Sequence, residues 1–511
     1  MKMDHAWAFA MCGVLAVGAV PFIAGAVAPV GEMQMRDPEL DTLLTRTAQR
    51  AASSFKGSER SFGNILMDAS YDLGKNTVTL NVPRGYMPDY PGAEFEDFEQ
   101  WVGNSIREAM AAISSAIEIS FRYEGRSFED LFPDEVRAEP KAINSASVMV
   151  AAGHGIYFHH GYKDWRPQRD PSNGITEDEL TPLLASELAD LLRSRSATEV
   201  LRARDGSNDN HAASGQAWWK IAARYRLQRD IPEQTAVWHS LPGSMAALRE
   251  RNEDIRSRPL YANHMGVGAL LHLHTNASES TAASGSRVYV TPARAADLAL
   301  GTSILCYMRE LITSQEGYST FAVPSNPATA DHGENRLAGM PSAIVEVGFH
   351  TNPADALALQ DPVFRTASMK GVEKGYRLWR EGKGCTPLAL QRVTDVTLPP
   401  HTVGKAEVHF EGHPRFPVTM EITSLECPQG STCDGGEEIK KKPMDSPLTF
   451  EIECGRGDHT RISQWQTVLR DDDGVRSAPA QHRLTCAGPG ESAAPSRPER
   501  HGRQVARIRM R

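Results

Sequence analysis

Surplus positive charge, abundant cysteine and long apolar runs are all scarce in this chain. Its 511 residues hold 55 Lys and Arg against 64 Asp and Glu, a formal net charge of -9. Without a basic surplus the chain is a poor candidate for binding nucleic acid, and no nucleic-acid partner is expected. Seven cysteines are too few for a disulfide scaffold, and no two are spaced CxxC. After residue 28 no segment is long and apolar enough to cross a bilayer. The rest is ordinary. The chain is 40% apolar and 23% charged, so it can bury cores and is not wholly disordered. At roughly 150 residues per domain, the length suggests about three domains.

The N-terminal segment is the exception to the missing apolar runs. Trp7 to Ala28 is apolar, follows Lys2, is interrupted by Pro21 and Gly25, and ends Ala26-Val27-Ala28. This pattern predicts a secretory signal peptide over 1–28. The competing reading, a retained anchor, is opposed by Pro21 and the small-x-small end. The mature chain is then exported, to the periplasm or the cell exterior, with no stable membrane span. Export would remove Cys12 and leave six cysteines able to pair in an oxidising compartment. Of the fifteen pairings that six allow, we expect Cys306–Cys385, Cys427–Cys433 and Cys454–Cys486.

Residues 29–60 are polar with one short helical stretch and read as a linker. A small accessory α+β domain is expected over 61–140. Thr77 to Val82 alternates as a half-buried strand does, and so does Ile117 to Tyr123. Between them Phe98, Val102, Ile106 and Met110 recur at helical spacing. The acidic run Glu94–Glu99 reads as a solvated helix start, where carboxylates suit the macrodipole. No chemistry is evident in this domain.

Residues 147–384 read as a three-layer α/β/α domain with a mostly parallel sheet. Apolar runs at Ser147–Ala152, Gly268–Leu273, Arg287–Thr291 and Ser342–Val347 alternate with amphipathic helices, as βαβ units require. Ligands in such sheets bind beyond the carboxyl ends of the strands. Short alternating runs over 388–486 predict an all-β, immunoglobulin-like domain. Residues 487–511 are Pro-, Ser-, Gly- and Arg-rich and read as a disordered basic tail, which could attract anionic envelope polymers.

His154 follows the first strand of the α/β domain, and His274 ends the second. An acidic residue opens the helix between them. Imidazole and carboxylate are zinc ligands, and a catalytic zinc keeps a fourth position for water. A lone histidine is usually structural, but two strands delivering histidines to one edge is a stronger signal. Glu346 lies on a further strand that ends at the same rim.

The residues around these positions resemble those of zinc-dependent N-acetylmuramoyl-L-alanine amidases. Val148-Met149-Val150-Ala151-Ala152-Gly153-His154-Gly155 is similar to the family's "DPGHGG" strand. Gly174–Leu192 is similar to its glycine-to-glutamate helix, and Val200–Asp205 to its "V-x-TR-x-D" strand. Arg258-Pro259-Leu260-Tyr261-Ala262-Asn263 matches "R-x-x-x-A-N". Leu271 to Ala277 matches "ISIHANA", and Met340 to Phe349 matches "MPAVLVELGF". The resemblance covers about residues 147–380. It departs from the family at Ala152, Ile156, Pro182 and Ala203, none of which removes a ligand.

The resemblance implies one zinc held by His154, Glu177 and His274, with Glu179 the competitor to Glu177. It implies Glu346 as general base for a zinc-activated water. The substrate implied is peptidoglycan. The bond cleaved joins the lactyl group of N-acetylmuramic acid to L-alanine of the stem peptide. Arg204 and Arg258 read as structural, His159 and His160 as surface residues, and Asn276 as a substrate- or loop-orienting group. An insertion at 206–250 carries Trp218, Trp219 and Trp238. Gln216–Gln228 reads as a helix, either packed on the core or forming a glycan platform through Trp218 and Trp219. A protein activator is a further partner to expect. Two other readings stay open: a non-catalytic wall-binding protein, and a zinc peptidase acting on stem peptides.

Overall fold

The computed structural model describes residues 37–55, 66–83, 92–114, 117–133, 144–196, 198–488 and 504–509. The expected signal peptide lies outside these residues. No described helix is long and apolar enough to cross a membrane.

The N-terminal unit is a three-stranded sheet packed on two helices. Its strands are Asp68–Asp72, Thr77–Val82 and Glu118–Tyr123, with the first pair antiparallel and the second parallel. One helix is Ala93–Met110, which buries Phe98, Val102, Ile106 and Met110. The other is Pro38–Ser54, which corrects the expectation of a linker over 29–60. Leu44, Ala48, Ala51 and Ala52 on this helix are fully buried in the same core as Leu80 and Phe98. Three of the four are alanines, so the buried stripe adds little apolar weight to the sequence pattern. Asp37 caps the helix by accepting from the amides of Glu39 and Leu40.

Residues 144–380 form the three-layer domain. Its sheet runs in the order 328–329, 287–290, 342–349, 267–276, 144–152, 199–202. The last four strands are mutually parallel. Arg287–Val290 runs antiparallel to Ser342–Phe349, so the sheet is mixed at that edge. Side chains alternate between faces. Val148, Val150 and Ala152 pack with Leu184, Leu188, Leu300 and Phe364 from the helices on one side. Met149 and Ala151 pack on the other side with Ala262, from helix Arg249–Met265.

Residues 389–486 form a sandwich of two five-stranded sheets around Trp465, Phe450, Met420 and Val408. The tail is not irregular throughout. Gln504–Arg509 forms a strand between Leu448–Cys454 and Ser431–Asp434, which corrects the expected disorder over 487–511 at those residues. Its backbone completes a ladder between two strands that otherwise do not pair. All three expected disulfides form: Cys306–Cys385, Cys427–Cys433 and Cys454–Cys486. The last of these joins the two sheets.

Candidate metal centre

Two neighbouring parallel strands carry the histidines to one rim. Ala152 is in register with Leu273, so His154 and His274 both emerge just past the paired region. His154 sits at φ +59°, in the left-handed region. That costly turn is held from several sides. Thr181 Oγ1 and Arg204 Nη1 donate to the Gly153 carbonyl at 2.7 and 3.1 Å. Asp178 Oδ1 accepts from the amides of Gly155 and Gln168 at 2.8 and 2.7 Å. Gly153 must be glycine, because a Cβ there would lie 2.3 Å from His274 Cε1. Arg204 is thus structural, as expected.

Glu177 is the first residue of helix Glu177–Ser196, and its carboxylate meets both histidines. His274 Nδ1 is 3.1 Å from His154 Nε2 and 3.2 Å from Glu177 Oε1. His154 Nε2 is 3.3 Å from the same carboxylate oxygen. Atoms about 2.0–2.1 Å from a tetrahedral zinc are roughly 3.3 Å apart, so this triangle fits three of the four ligand positions. All three residues are buried. The competitor Glu179 points elsewhere: it pairs with Lys220 Nζ at 2.8 Å and is 46% exposed.

The outer partners fix the ring orientations. His274 Nε2 is 2.9 Å from Glu334 Oε2, leaving Nδ1 for a metal. Arg258 Nη1 holds the other Glu334 oxygen at 2.6 Å, and His272 Nδ1 is 3.1 Å from Oε2. His154 Nδ1 is 3.3 Å from Gln168 Oε1. The sequence reading missed Glu334 and Gln168. No local sequence pattern marks Glu334; in the structure it is one of two carboxylates paired with the fully buried Arg258, the other being Asp254.

The electrostatics concentrate positive charge at this point. Burial alone would lower the pKa of His274, but Glu334 and Glu177 outweigh it and push it up to about 10. Burial and the nearby Arg169 charge hold His154 below its usual value. Burial opposes ionisation of Glu177, yet the two histidines hold it well below the carboxylate range. Two buried carboxylates converging on one imidazole are arranged to hold a cation.

Glu346 is the cross-strand neighbour of His274. Burial pushes its pKa up to about 7, against the pull of His274. Its Oε1 accepts from Gln100 Nε2 at 2.9 Å, and its Oε2 has no hydrogen-bond partner among the described residues. Asn276 Oδ1 accepts from Gln100 at 3.0 Å and from Asn104 Nδ2 at 2.7 Å. Both donors lie on the accessory helix Ala93–Met110. The acidic start of that helix is not solvated as expected. Glu96 is buried and accepts from the Gly333 amide at 2.9 Å, and Tyr123 donates to Glu99 at 2.6 Å.

The remaining candidates fall outside the triangle. Gln216–Gln228 is not one helix; a short 3-10 turn at Trp218–Lys220 precedes helix Ala223–Asp230. Trp218 packs edge-on against His211, with ring centroids 4.6 Å apart, under the Arg229 guanidinium. Lys220 Nζ lies 5.1 Å from the Trp219 ring centroid. The segment pairs with the loop after His154 through the Lys220 carbonyl and the Ile156 amide at 2.8 Å. His160 pairs with Glu250 at 3.0 Å. His159 is buried rather than on the surface, because it lies in the short strand Tyr157–His159.

Residues 148–376 match the family profile described as N-acetylmuramoyl-L-alanine amidase. No curated protein matches the chain. Among solved structures, similarity extends to the catalytic domain of the amidase CwlV from Bacillus (Paenibacillus) polymyxa var. colistinus. There the identity is 16%, with 46% of this chain and 99% of that one covered, at a TM-score of 0.30. An N-acetylmuramoyl-L-alanine amidase from Clostridium difficile 630 is 15% identical over 47% of this chain and 100% of its own, at a TM-score of 0.33. The amidase Ami1 from Mycobacterium smegmatis is 16% identical over 48% and 100%, at 0.30.

Proposed function

We propose, from the match of residues 148–376 to the profile described as N-acetylmuramoyl-L-alanine amidase, that the chain is a zinc-dependent hydrolase of the muramoyl–L-alanine bond in peptidoglycan. The observation that carries the reading is the triangle of His154 Nε2, Glu177 Oε1 and His274 Nδ1, with Glu346 on the adjacent strand. His154, Glu177 and His274 would hold the zinc. A bound zinc supplies Lewis acidity toward water and the amide carbonyl.

The chain's own groups do the rest. Glu346 takes the proton of the attacking water at its unpartnered Oε2 and returns it to the leaving amine. A carboxyl with a raised pKa suits both transfers, because it holds the proton between them. Glu334 orients His274 and Gln168 orients His154, so neither ring must reorganise during the reaction. An exported location fits a substrate in the cell wall.

Digestion of purified sacculi with the full chain and zinc tests this. Mass spectrometry should show stem peptides free of muramic acid. Fragments cut within the peptide would replace the amidase with a peptidase, and binding without release would leave a wall-binding protein.

The insertion gives a subsidiary expectation. Trp218 is packed into the cluster of Ile221, Tyr157 and Tyr225, so Trp218→Ala should lower stability by about 1–2 kcal/mol in urea unfolding. Trp219 is half-buried, with Lys220 Nζ 5.1 Å from its ring centroid. Trp219→Ala should leave unfolding unchanged and slow sacculus digestion several-fold if the ring stacks on glycan. Unchanged digestion would remove Trp219 from the substrate site.

A further inference from the structure

The accessory helix Ala93–Met110 places a carboxylate and an amide at the rim of the metal centre. Asp97 sits in a fork of two arginines from the amidase domain. Arg169 Nη2 donates to Oδ1 at 2.5 Å and Nη1 to Oδ2 at 2.7 Å. Arg251 Nη2 also donates to Oδ2. Arg169 Nε lies 3.7 Å from Glu177 Oε2, so the fork opens directly beside a candidate zinc ligand. Arg251 is 8% exposed on its side chain. Two guanidiniums this close, one of them nearly buried, require an anion, and the planar fork matches a carboxylate.

The second group is Gln100, whose side-chain N–H donates to Glu346 Oε1. The Gln100 amide thus occupies the place beside Glu346 where a substrate amide would lie. Asp97 and Gln100 are three residues apart on one helix, so their side chains are neighbours roughly 5–6 Å apart. An extended peptide advances roughly 3.5 Å per residue. A carboxylate one or two residues beyond a scissile amide would therefore reach the fork while the amide lies at Glu346.

We infer that Arg169 and Arg251 form the subsite for a carboxylate of the substrate's stem peptide, and that Asp97 occupies this subsite until substrate displaces it. The inference rests on the amidase reading above. The amidase domain supplies both arginines, and the accessory unit supplies the competing anion. The acidic start of the helix thereby gains a purpose: one of its carboxylates copies the substrate's charge, and Gln100 copies its amide.

The test compares two probes on the full chain with zinc. One is an N-acetylmuramoyl-L-alanyl-amino acid with a free terminal carboxylate; the other is its terminal carboxamide. In Asp97→Asn the KM for the carboxamide should exceed that for the carboxylate by about tenfold or more, with similar kcat. Adding Arg251→Gln should bring the ratio close to one. Asp97→Ala repeats the comparison should the asparagine variant fold poorly, with circular dichroism confirming the fold. Calorimetric binding of both probes to Asp97→Asn carrying Glu346→Gln gives the same ratio without cleavage. Equal KM and equal binding in the Asp97 variants would overturn the subsite, as would a ratio that survives Arg251→Gln. Cleavage without discrimination leaves the amidase standing and removes the subsite. Discriminating binding without cleavage does the reverse.

Discussion

Glu346→Gln should slow amide hydrolysis by about 10²–10⁴-fold, the usual contribution of a positioned general acid–base group. The substitution keeps the side chain's shape and keeps an oxygen to accept from Gln100 Nε2. It leaves His154, Glu177 and His274 untouched. Metal content should therefore stay at about one zinc per chain, and thermal melting should change little. Chromatographic assay of released peptide and elemental analysis of the purified variant check the two halves together. Loss of zinc along with activity would mean that Glu346 serves the metal rather than the proton. Retained activity would move the base elsewhere.

Glu177→Ala should abolish zinc retention, whereas Glu179→Ala should leave it intact. Glu177 is 2% exposed on its side chain and touches both histidines. Its removal deletes a ligand and leaves His154 and His274 facing each other with one carboxylate fewer. Loss of an outer partner alone typically costs 10–100-fold in metal affinity, so loss of a ligand should cost more than about 100-fold. Glu179 makes a half-exposed ion pair with Lys220, of a kind worth about 0–1 kcal/mol. Zinc competition titrations on the two variants separate the positions. Equal affinity in both would exclude Glu177 from the site.

Local pattern and ordered motifs made the central domain legible. Strands around Val148, Leu271 and Ile344 announce themselves as apolar runs because a buried parallel strand is covered on both faces. His154 and His274 could be placed together because their strands end at the same edge. What was missed depends on contacts distant in sequence. Helix Pro38–Ser54 hides its buried stripe behind alanines. Gln100 is a polar residue on an otherwise ordinary amphipathic helix, and nothing local marks it as reaching Glu346 across 246 residues of sequence. Asp97 and Glu96 look like any acidic helix start until the domain opposite supplies Arg169, Arg251 and the Gly333 amide. Glu334 lies in a short helix, Gly333–Arg336, too brief to leave a periodic signal. Trp218 and Trp219 were read on a helix because their neighbours favour one, and the turn at Trp218–Lys220 came from pairing with the His154 loop.

The two histidine-bearing strands are locked in register at Leu273 and Ala152 within a buried sheet, and this ties metal to stability. An unfolded chain scatters His154, Glu177 and His274 over 120 residues, so zinc has almost no affinity for it. Mass action then favours the folded form by about 2.7 kcal/mol when free zinc is 100 times its dissociation constant, and by about 4.1 kcal/mol at 1,000 times. On the zinc reading, the lifetime of the folded chain becomes a gauge of the zinc around it, and zinc starvation would clear the protein as well as silence it.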